Sequence, residues 1–167
     1  MRNSTNKVLV IYPTKALAND QSHRLYKILN CLGYDVHAKE DKGIYYGDLV
    51  RYDGDTSSYD EVKRSLPRSK IITTNPDMLI LHLDYLTTLQ PKLIVVDELD
   101  FYDIAKANAL IEILLNSFPH SQFVIISGTL SNPDDLAKRL NNAEIVKGEA
   151  FKPEHRYFII VGKKDEV

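Results

Sequence analysis

Short apolar runs alternate with helix-like segments along most of the chain. Four runs are nearly continuous, rich in β-branched residues and bounded by turn residues, a pattern typical of strands buried on both faces. They are Val8–Tyr12, Ile71–Thr74, Leu93–Val96 and Phe123–Ser127. Weaker strand patterns lie at Asp35–Ala38, Leu49–Tyr52, Glu144–Val146 and Arg156–Val161. Apolar residues have helical spacing at Leu17–Leu32, Asp77–Leu89, Ala105–Phe118 and Leu136–Leu140.

Strands that alternate with helices predict an α/β domain whose sheet is mainly parallel and whose crossovers are right-handed. Several helix starts are marked by residues that favour a helix N-terminus. In Asn132–Asp135 an Asn can cap the helix, a Pro can take the first helical position, and two acids lie in the positive first turn. Asn75–Asp77 has the same order, and Thr14 is a candidate cap for the first long helix.

Composition limits the classes of protein that fit. The 167 residues are 44% hydrophobic and 26% charged, which is ordinary for one globular domain. The formal net charge of -2 gives no overall basic field, so any nucleic-acid binding must be local. The single cysteine, Cys31, excludes an intramolecular disulfide and a CxxC zinc site. No signal-peptide pattern or membrane-length apolar run is present, so a cytoplasmic location without membrane contact is predicted.

An acidic turn follows one of the predicted buried strands. Leu93–Val96 runs directly into Asp97, Glu98 and, two residues on, Asp100. Ligands of open parallel sheets bind outside the carboxyl ends of the strands, where this turn is expected. Asp97 can hold Mg²⁺ through water, and Glu98 can orient or deprotonate an attacking water. A solvated acidic turn is the alternative.

Other strand ends carry hydroxyls and a lysine. Ser127-Gly128-Thr129 follows one strand, and its hydroxyls can bond a neighbouring carboxylate. Thr14 and Lys15 start the helix after the first strand, which makes a small anion site suited to a backbone phosphate. The turn Thr73–Asp77 is a second site of this kind, although each is also an ordinary capped helix. The densest basic run, Lys63–Lys70, either lies near a phosphate backbone or is a solvated loop.

Taken in order, these segments resemble the motifs of superfamily 2 helicases of the DExD/H-box type. PTKALA looks like motif Ia, TNPDM like motif Ib, DELD like motif II and SGT like the Ser-Ala-Thr motif III. LSNPDDLA is similar to a segment that follows motif III in Lhr-like and Ski2-like helicases, and YDGDT looks like a motif of a related bacterial and archaeal branch. The resemblance spans residues 7 to 140 and is specific as an ordered set.

The resemblance implies a RecA-like fold and a set of residue roles. Asp97 would help to hold the magnesium of ATP, and Glu98 would orient or activate the hydrolytic water. Ser127 and Thr129 would couple the nucleotide site to strand separation. One nucleic-acid strand would be contacted by Pro13, Thr14, Lys15, Thr74 and Pro76. The sequence departs from the pattern at Gly128, which replaces the usual Ala, at Asn75, where relatives often have Thr, and at Asp100, which replaces His.

A phosphate-binding loop, GxxxxGK[ST], is not found in the sequence, and the pair Gly162-Lys163 is followed by Lys164 without the upstream Gly. In the family this loop precedes motif Ia. The prediction is therefore a RecA-like domain truncated at the N-terminus, with the P-loop strand and helix missing. Residues 1–150 would form this partial helicase domain, with motifs Ia to III, and residues 151–167 an exit strand or linker toward an absent second domain.

The parent protein is accordingly predicted to use ATP and Mg²⁺, to bind DNA or RNA, and to contain a second RecA-like domain in the same chain. It would couple ATP hydrolysis to translocation or strand separation, while this chain alone is expected to be inactive.

Two other readings are open. One is a degenerate helicase module that binds nucleic acid or a protein partner without catalysis, although the retained Asp97 and Glu98 argue against it. The other is a flavodoxin-like or receiver-type domain with an acidic Mg²⁺ pocket. Such domains place acids after the first strand and a Lys after the last, which this sequence does not do.

Overall fold

The computed structural model describes residues 6–129, 132–140 and 143–147. The chain forms two compact units, Met1–Leu130 and Ser131–Val167. The strands of the first unit are β1 (Val8–Ile11), β2 (Val36–Lys39), β3 (Ile44–Gly47), β4 (Leu49–Arg51), β5 (Ile71–Thr74), β6 (Leu93–Val96) and β7 (Gln122–Ile125). Its α-helices are α1 (Lys15–Cys31), α2 (Asp60–Ser65), α3 (Pro76–Leu81), α4 (Leu83–Thr88) and α5 (Ile104–Ser117). Short 3-10 helices lie at Glu40–Lys42 and Leu99–Phe101.

The main sheet has five strands in the order β4-β5-β1-β6-β7, and every pairing in it is parallel. The central strands are in register, so that Ile11 lies between Thr74 of β5 and Val96 of β6. Strands β2 and β3 form a separate antiparallel pair. The predicted RecA-like α/β fold with a mainly parallel sheet is confirmed, and all five carboxyl ends lie at one edge of the sheet.

The residues of the central strands form the core, and the strand residues become more exposed toward β7. Leu9 and Ile11 of β1 and Ile94 and Val96 of β6 are buried, whereas Leu93 and Val95, on the other face of β6, are partly buried. On β7, Val124 is 39% exposed, and Ile126 just beyond the strand is 49% exposed. The prediction of a strand buried on both faces is therefore wrong for Phe123–Ser127. The physical reason is its place at the end of the sheet order, with one bonded neighbour among the strands that the structure describes.

Several boundaries differ from the predicted ones. The single helix expected over Asp77–Leu89 is two short helices, because His82 leaves the helical region with φ -119° and ψ 27°. Strand β3 and helix α2 were not predicted; both are short, and α2 buries only Val62. The strand expected at Glu144–Val146 is wrong, since no strand is present there. The strand expected at Arg156–Val161 lies outside the described residues.

The second unit contains α6 (Pro133–Arg139), which begins with Pro133 and two acids as predicted. Asn132 precedes it but makes no side-chain cap; its amide donates to the Asp135 carboxylate instead. Asn75 likewise precedes α3 without a side-chain cap bond, whereas Thr14 caps α1 by accepting from the Leu17 amide at 3.2 Å. Within the described ranges no helix has the length and apolar character to cross a bilayer. The cytoplasmic location stays a prediction.

A buried ion pair lies at the end of β4. The Arg51 guanidinium donates to the Asp53 carboxylate at 2.6 Å, and the two side chains are 5% and 0% exposed. Arg51 also donates to the Gly43 carbonyl at 2.9 Å and to the Asn19 side chain at 3.1 Å. Because a buried charge needs both a partner and hydrogen bonds, this network fixes β4, α1 and the loop before β3 relative to one another.

Replacing Arg51 with Met should leave Asp53 buried without its cation. The expected loss of unfolding free energy is about 3–5 kcal/mol, and the Arg51→Met, Asp53→Leu double variant should lie closer to the native chain because no charge remains unpaired. Urea unfolding followed by circular dichroism measures both.

The matched control is Arg24→Met, since Arg24 is exposed and pairs on the surface with Asp20 at 3.2 Å. Its effect should stay within about 0.5 kcal/mol. Equal losses from the Arg51 and Arg24 variants would contradict the structural role given to the buried pair.

Candidate functional site

The turns that follow the strands of the main sheet lie side by side, because hydrogen bonds continue beyond the strands. The amide of Tyr12 donates to the Thr74 carbonyl at 2.9 Å, and the amide of Asp97 donates to the Ile11 carbonyl at 3.0 Å. The Ile126 amide donates to the Val96 carbonyl at 2.8 Å. These bonds bring the turns with the predicted motifs to one edge, which we call the carboxyl edge.

The acidic turn after β6 has an unusual backbone. Glu98 is exposed and has φ 52° and ψ 50°, the left-handed region that non-glycine residues rarely adopt. Its amide donates to Asp97 Oδ1 at 3.1 Å, and the next amide, of Leu99, donates to the Ile126 carbonyl at 3.2 Å. Backbone strain of this kind persists only where surrounding contacts hold it, and it clusters at functional sites.

Asp97 is half-buried and lies near the Tyr12 side chain, which is buried at the end of β1. Burial, and secondarily the negative charge of Asp97, raises the pKa of Tyr12 to about 12. Tyr12 therefore stays protonated at neutral pH.

The turn after β7 is joined to the acidic turn through Asp100. The Thr129 hydroxyl donates to Asp100 Oδ2, and this bond, followed by the nearby Ser127 hydroxyl, lowers the pKa of Asp100. Neither Ser127 Oγ nor Asp100 Oδ1 has a hydrogen-bond partner of ordinary geometry in the described residues. The sequence indicated that this turn could bond a carboxylate, and the structure identifies that carboxylate as Asp100.

The turn after β1 places Lys15 at the start of α1. Pro13 and Thr14 are half-buried and Lys15 is exposed. The Lys15 ammonium donates to the Asp55 carboxylate at 2.8 Å. The side chain predicted to contact a phosphate therefore forms an ion pair within the protein. That pair raises the pKa of Lys15 and lowers the pKa of Asp55.

The turn after β5 divides into buried and accessible parts. Thr74 is buried and its hydroxyl donates to the Tyr52 carbonyl at 2.8 Å, which occupies the side chain in a structural bond. Asn75 is also buried, and its Oδ1 atom has no hydrogen-bond partner in the described chain. Pro76 is partly accessible at the start of α3. The nucleic-acid roles of Thr74 and Pro76 stay predictions.

The hydrogen bonds of Arg51 and Thr56 that hold the YDGDT segment (residues 52–56) in shape were not predicted from the sequence. Thr56 is buried, and its hydroxyl donates to the Arg51 carbonyl at 2.7 Å and accepts from the Asp53 amide at 3.1 Å. The segment is therefore a tight turn between the buried Arg51–Asp53 pair and the exposed Asp55. The available signal was an Arg spaced at two and four residues from two aspartates, in Arg51-Tyr52-Asp53-Gly54-Asp55.

The residues fit Mg²⁺ bound to a nucleotide only in part. Among the described residues no group of three or more His, Cys, Asp or Glu side chains is arranged to hold a metal ion directly. Asp97 offers a half-buried carboxylate at a strand end, which suits a cation held through water. A cradle of backbone amides for the β and γ phosphates would have to come from a segment with a phosphate-binding sequence, which the chain does not contain.

Replacing Thr129 with Val should raise the pKa of the Asp100 carboxyl toward its ordinary value, because the main hydrogen bond to the charged form is lost. A carboxyl whose pKa is lowered by folding adds stability at neutral pH that disappears as the pH falls through the folded pKa. The variant should therefore lose less stability on acidification than the native chain does.

Carbon-13 NMR titration of the aspartate carboxyls measures the shift directly. Thr88→Val is the matched control, because the Thr88 hydroxyl donates to the Tyr85 carbonyl within α4. An Asp100 pKa that does not change in Thr129→Val would show that the hydroxyl does not stabilise the carboxylate.

Comparison with known proteins agrees with this geometry. The sequence model of the DEAD/DEAH box helicase family matches residues 1–136. The chain is 30% identical to YprA of Bacillus subtilis, described as an uncharacterized ATP-dependent helicase, over 83% of this chain and 19% of that protein. It is 29% identical to MJ1574 of Methanocaldococcus jannaschii, described in the same words, over 96% of this chain and 25% of that protein.

A solved structure is similar in fold as well as in sequence. The DUF1998 helicase MrfA, whose crystal structure is described as bound to DNA and AMPPNP, superposes with a TM-score of 0.60. The identity is 27%, and the match covers 83% of this chain and 20% of MrfA. The chain thus spans 19% to 25% of the length of these helicases. The Lhr-like or Ski2-like branch stays a prediction, but the chain belongs to the DEAD/DEAH box helicase family.

Proposed function

We propose that this chain forms part of the first motor domain of an ATP-driven helicase that translocates along or separates nucleic-acid strands. The observation that carries the proposal is the joining of two turns at the carboxyl edge. The Asp97–Glu98 turn is bonded to the end of β1, and Asp100 accepts from Thr129 in the turn after β7. Groups suited to a nucleotide and groups suited to a phosphate backbone therefore share one rigid edge.

In this proposal Asp97 holds the magnesium ion of ATP through water, and Glu98 orients or activates the attacking water. Magnesium supplies charge neutralisation on the phosphates when it is bound. The half-buried position of Asp97 supports a fixed orientation, and the exposure of Glu98 supports access to water. Ser127 and Thr129 couple the nucleotide site to strand movement, since Thr129 is bonded to the acidic turn itself.

The phosphate-binding loop would come from polypeptide outside these residues. Strand β7 supports this part of the proposal, since it is the last of the described strands in the sheet order and leaves Val124 and Ile126 partly exposed. A further parallel strand would pair with that edge of β7 and bring its own carboxyl end next to Ser127, and the crossover helix joined to it would cover these apolar side chains. A second RecA-like domain of the same parent chain would complete the motor.

Nucleic acid would be bound by the other half of the carboxyl edge. Pro13, Thr14 and Lys15 after β1 and the Thr74–Pro76 turn after β5 are adjacent, because β1 and β5 are paired in register. Helix N-termini and a lysine suit backbone phosphates, which carry no sequence information. The DNA in the MrfA structure supports DNA as the first nucleic acid to test.

This chain alone should release no phosphate from Mg·ATP, with or without single-stranded DNA, because it lacks the loop that binds the phosphates. A malachite-green assay measures the release. In a longer polypeptide that contains both this chain and a GxxxxGK[ST] segment, DNA should stimulate turnover. There, Glu98→Gln should lower the turnover about 10²- to 10⁴-fold, the usual contribution of a positioned acid or base.

The Glu98→Gln variant of the short chain is the control for a contaminating ATPase. Turnover by the short chain that this variant abolishes would overturn the proposal that the phosphate loop lies elsewhere. A longer polypeptide that binds DNA but shows no turnover would instead favour the non-catalytic helicase module.

A further inference from the structure

Lys15 is an exposed cation in the part of the carboxyl edge proposed to bind nucleic acid, and its ammonium already forms an ion pair with Asp55. Its ammonium lies 2.8 Å from Asp55 Oδ1, although Asp55 is 40 residues further along the chain. The contact crosses the sheet from the turn after β1 to the turn after β4, with β5 between them. The segment that carries Asp55 is therefore placed by the fold against the lysine expected to meet phosphate.

Hydrogen bonds to buried groups fix the position of Asp55. Its amide donates to Asp53 Oδ1 at 2.9 Å, and Asp53 is held by Arg51. The second carboxylate oxygen, Oδ2, lies 3.5 Å from the Arg51 guanidinium. Asp55 is thus an exposed carboxylate on a rigid base rather than a side chain on a free loop.

The turn also leaves little room beside Lys15. A Cβ atom at Gly54 would lie 3.1 Å from the lysine Nζ atom and 3.4 Å from its Cε atom. Only a residue without a side chain lets the ammonium approach the turn without some displacement. Gly54 therefore leaves space for the Lys15 ammonium, Asp55 binds it, and Asp53 holds Asp55 in position.

The pair is weak enough to be exchanged. Lys15 and Asp55 are 47% and 57% exposed, and ion pairs in such positions are weak because water screens the two charges. The oxygens of a backbone phosphate are negatively charged hydrogen-bond acceptors, as the Asp55 carboxylate oxygens are. A nucleic-acid strand presents many such phosphates close together. Lys15 can leave Asp55 for a phosphate without disturbing the buried Arg51–Asp53 pair.

We propose that Asp55 competes with a backbone phosphate for Lys15 and so sets the affinity of the carboxyl edge for nucleic acid. Asp55 then holds the lysine in place in the free protein and releases it when a strand binds. Arg51 and Asp53 are positioning residues in this scheme, since they act through the turn. The inference rests on the proposed nucleic-acid function of Lys15.

Binding of fluorescein-labelled oligothymidylate to the full 167-residue chain, followed by fluorescence anisotropy at several salt concentrations, tests the competition. Asp55→Asn should tighten binding about 2- to 5-fold, the range that corresponds to a surface ion pair. The amide keeps an acceptor oxygen for Arg51, and circular dichroism confirms that the variant folds. Lys15→Gln should weaken binding and lower the slope of log K against log salt by about 0.7, because one phosphate contact is lost.

The decisive variant is the double one. If Asp55 acts through Lys15, Asp55→Asn should have no effect in the Lys15→Gln background. Asp20→Asn is the matched control, since Asp20 is an exposed carboxylate on α1 that pairs with Arg24 instead. Its removal should change affinity less than Asp55→Asn does.

The possible results distinguish failure of the Asp55 competition from failure of the proposed nucleic-acid binding. No binding by the folded native chain or any variant would overturn the nucleic-acid part of the proposed function, and the inference with it. Binding that Lys15→Gln weakens, but that Asp55→Asn also weakens or leaves unchanged, would overturn the inference alone. The same holds if Asp55→Asn tightens binding equally in both backgrounds, since that would be a general charge effect.

Discussion

The in-register parallel pairing of β5, β1, β6 and β7 is the constraint on which the site depends. Because these strands run in the same direction and end at the same level, every turn that follows them appears at one edge. Backbone bonds beyond the strands then fix neighbouring turns to each other, as the Asp97 amide does to the Ile11 carbonyl. Motifs far apart in sequence become a single surface without any need for direct side-chain contact.

The polar groups of this edge fall into two layers. The buried layer, formed by Arg51, Asp53 and the Thr74 hydroxyl, is hydrogen-bonded within the protein and holds the turns in shape. The exposed layer, with Lys15 and Glu98, is what a ligand would meet. A net charge of -2 is compatible with this arrangement, because attraction to phosphate then depends on where single cations lie rather than on the whole chain.

Much of this arrangement could be predicted from the sequence, and the failures have physical reasons. Continuous β-branched runs identified β5 and β6 with their bounds, since burial on both faces leaves a strong pattern. The exposure of β7 could not be predicted, because a strand's place in the sheet order is set by tertiary pairing. The acidic turn was located correctly, but its bond to Thr129 required the β6–β7 pairing to select Asp100 among three carboxylates. The Lys15–Asp55 pair was missed because its partners are distant in sequence.

The proposed function assigns nucleic-acid binding to the carboxyl edge. Amide chemical-shift mapping of the isotope-labelled chain with unlabelled oligothymidylate tests it most directly. We expect the largest shifts at Lys15, Gly54, Asp55 and Asn75, with little change at Lys92 and Ser121, which precede β6 and β7 at the opposite edge. Shifts concentrated at the opposite edge, or in the basic run Lys63–Lys70, would contradict it.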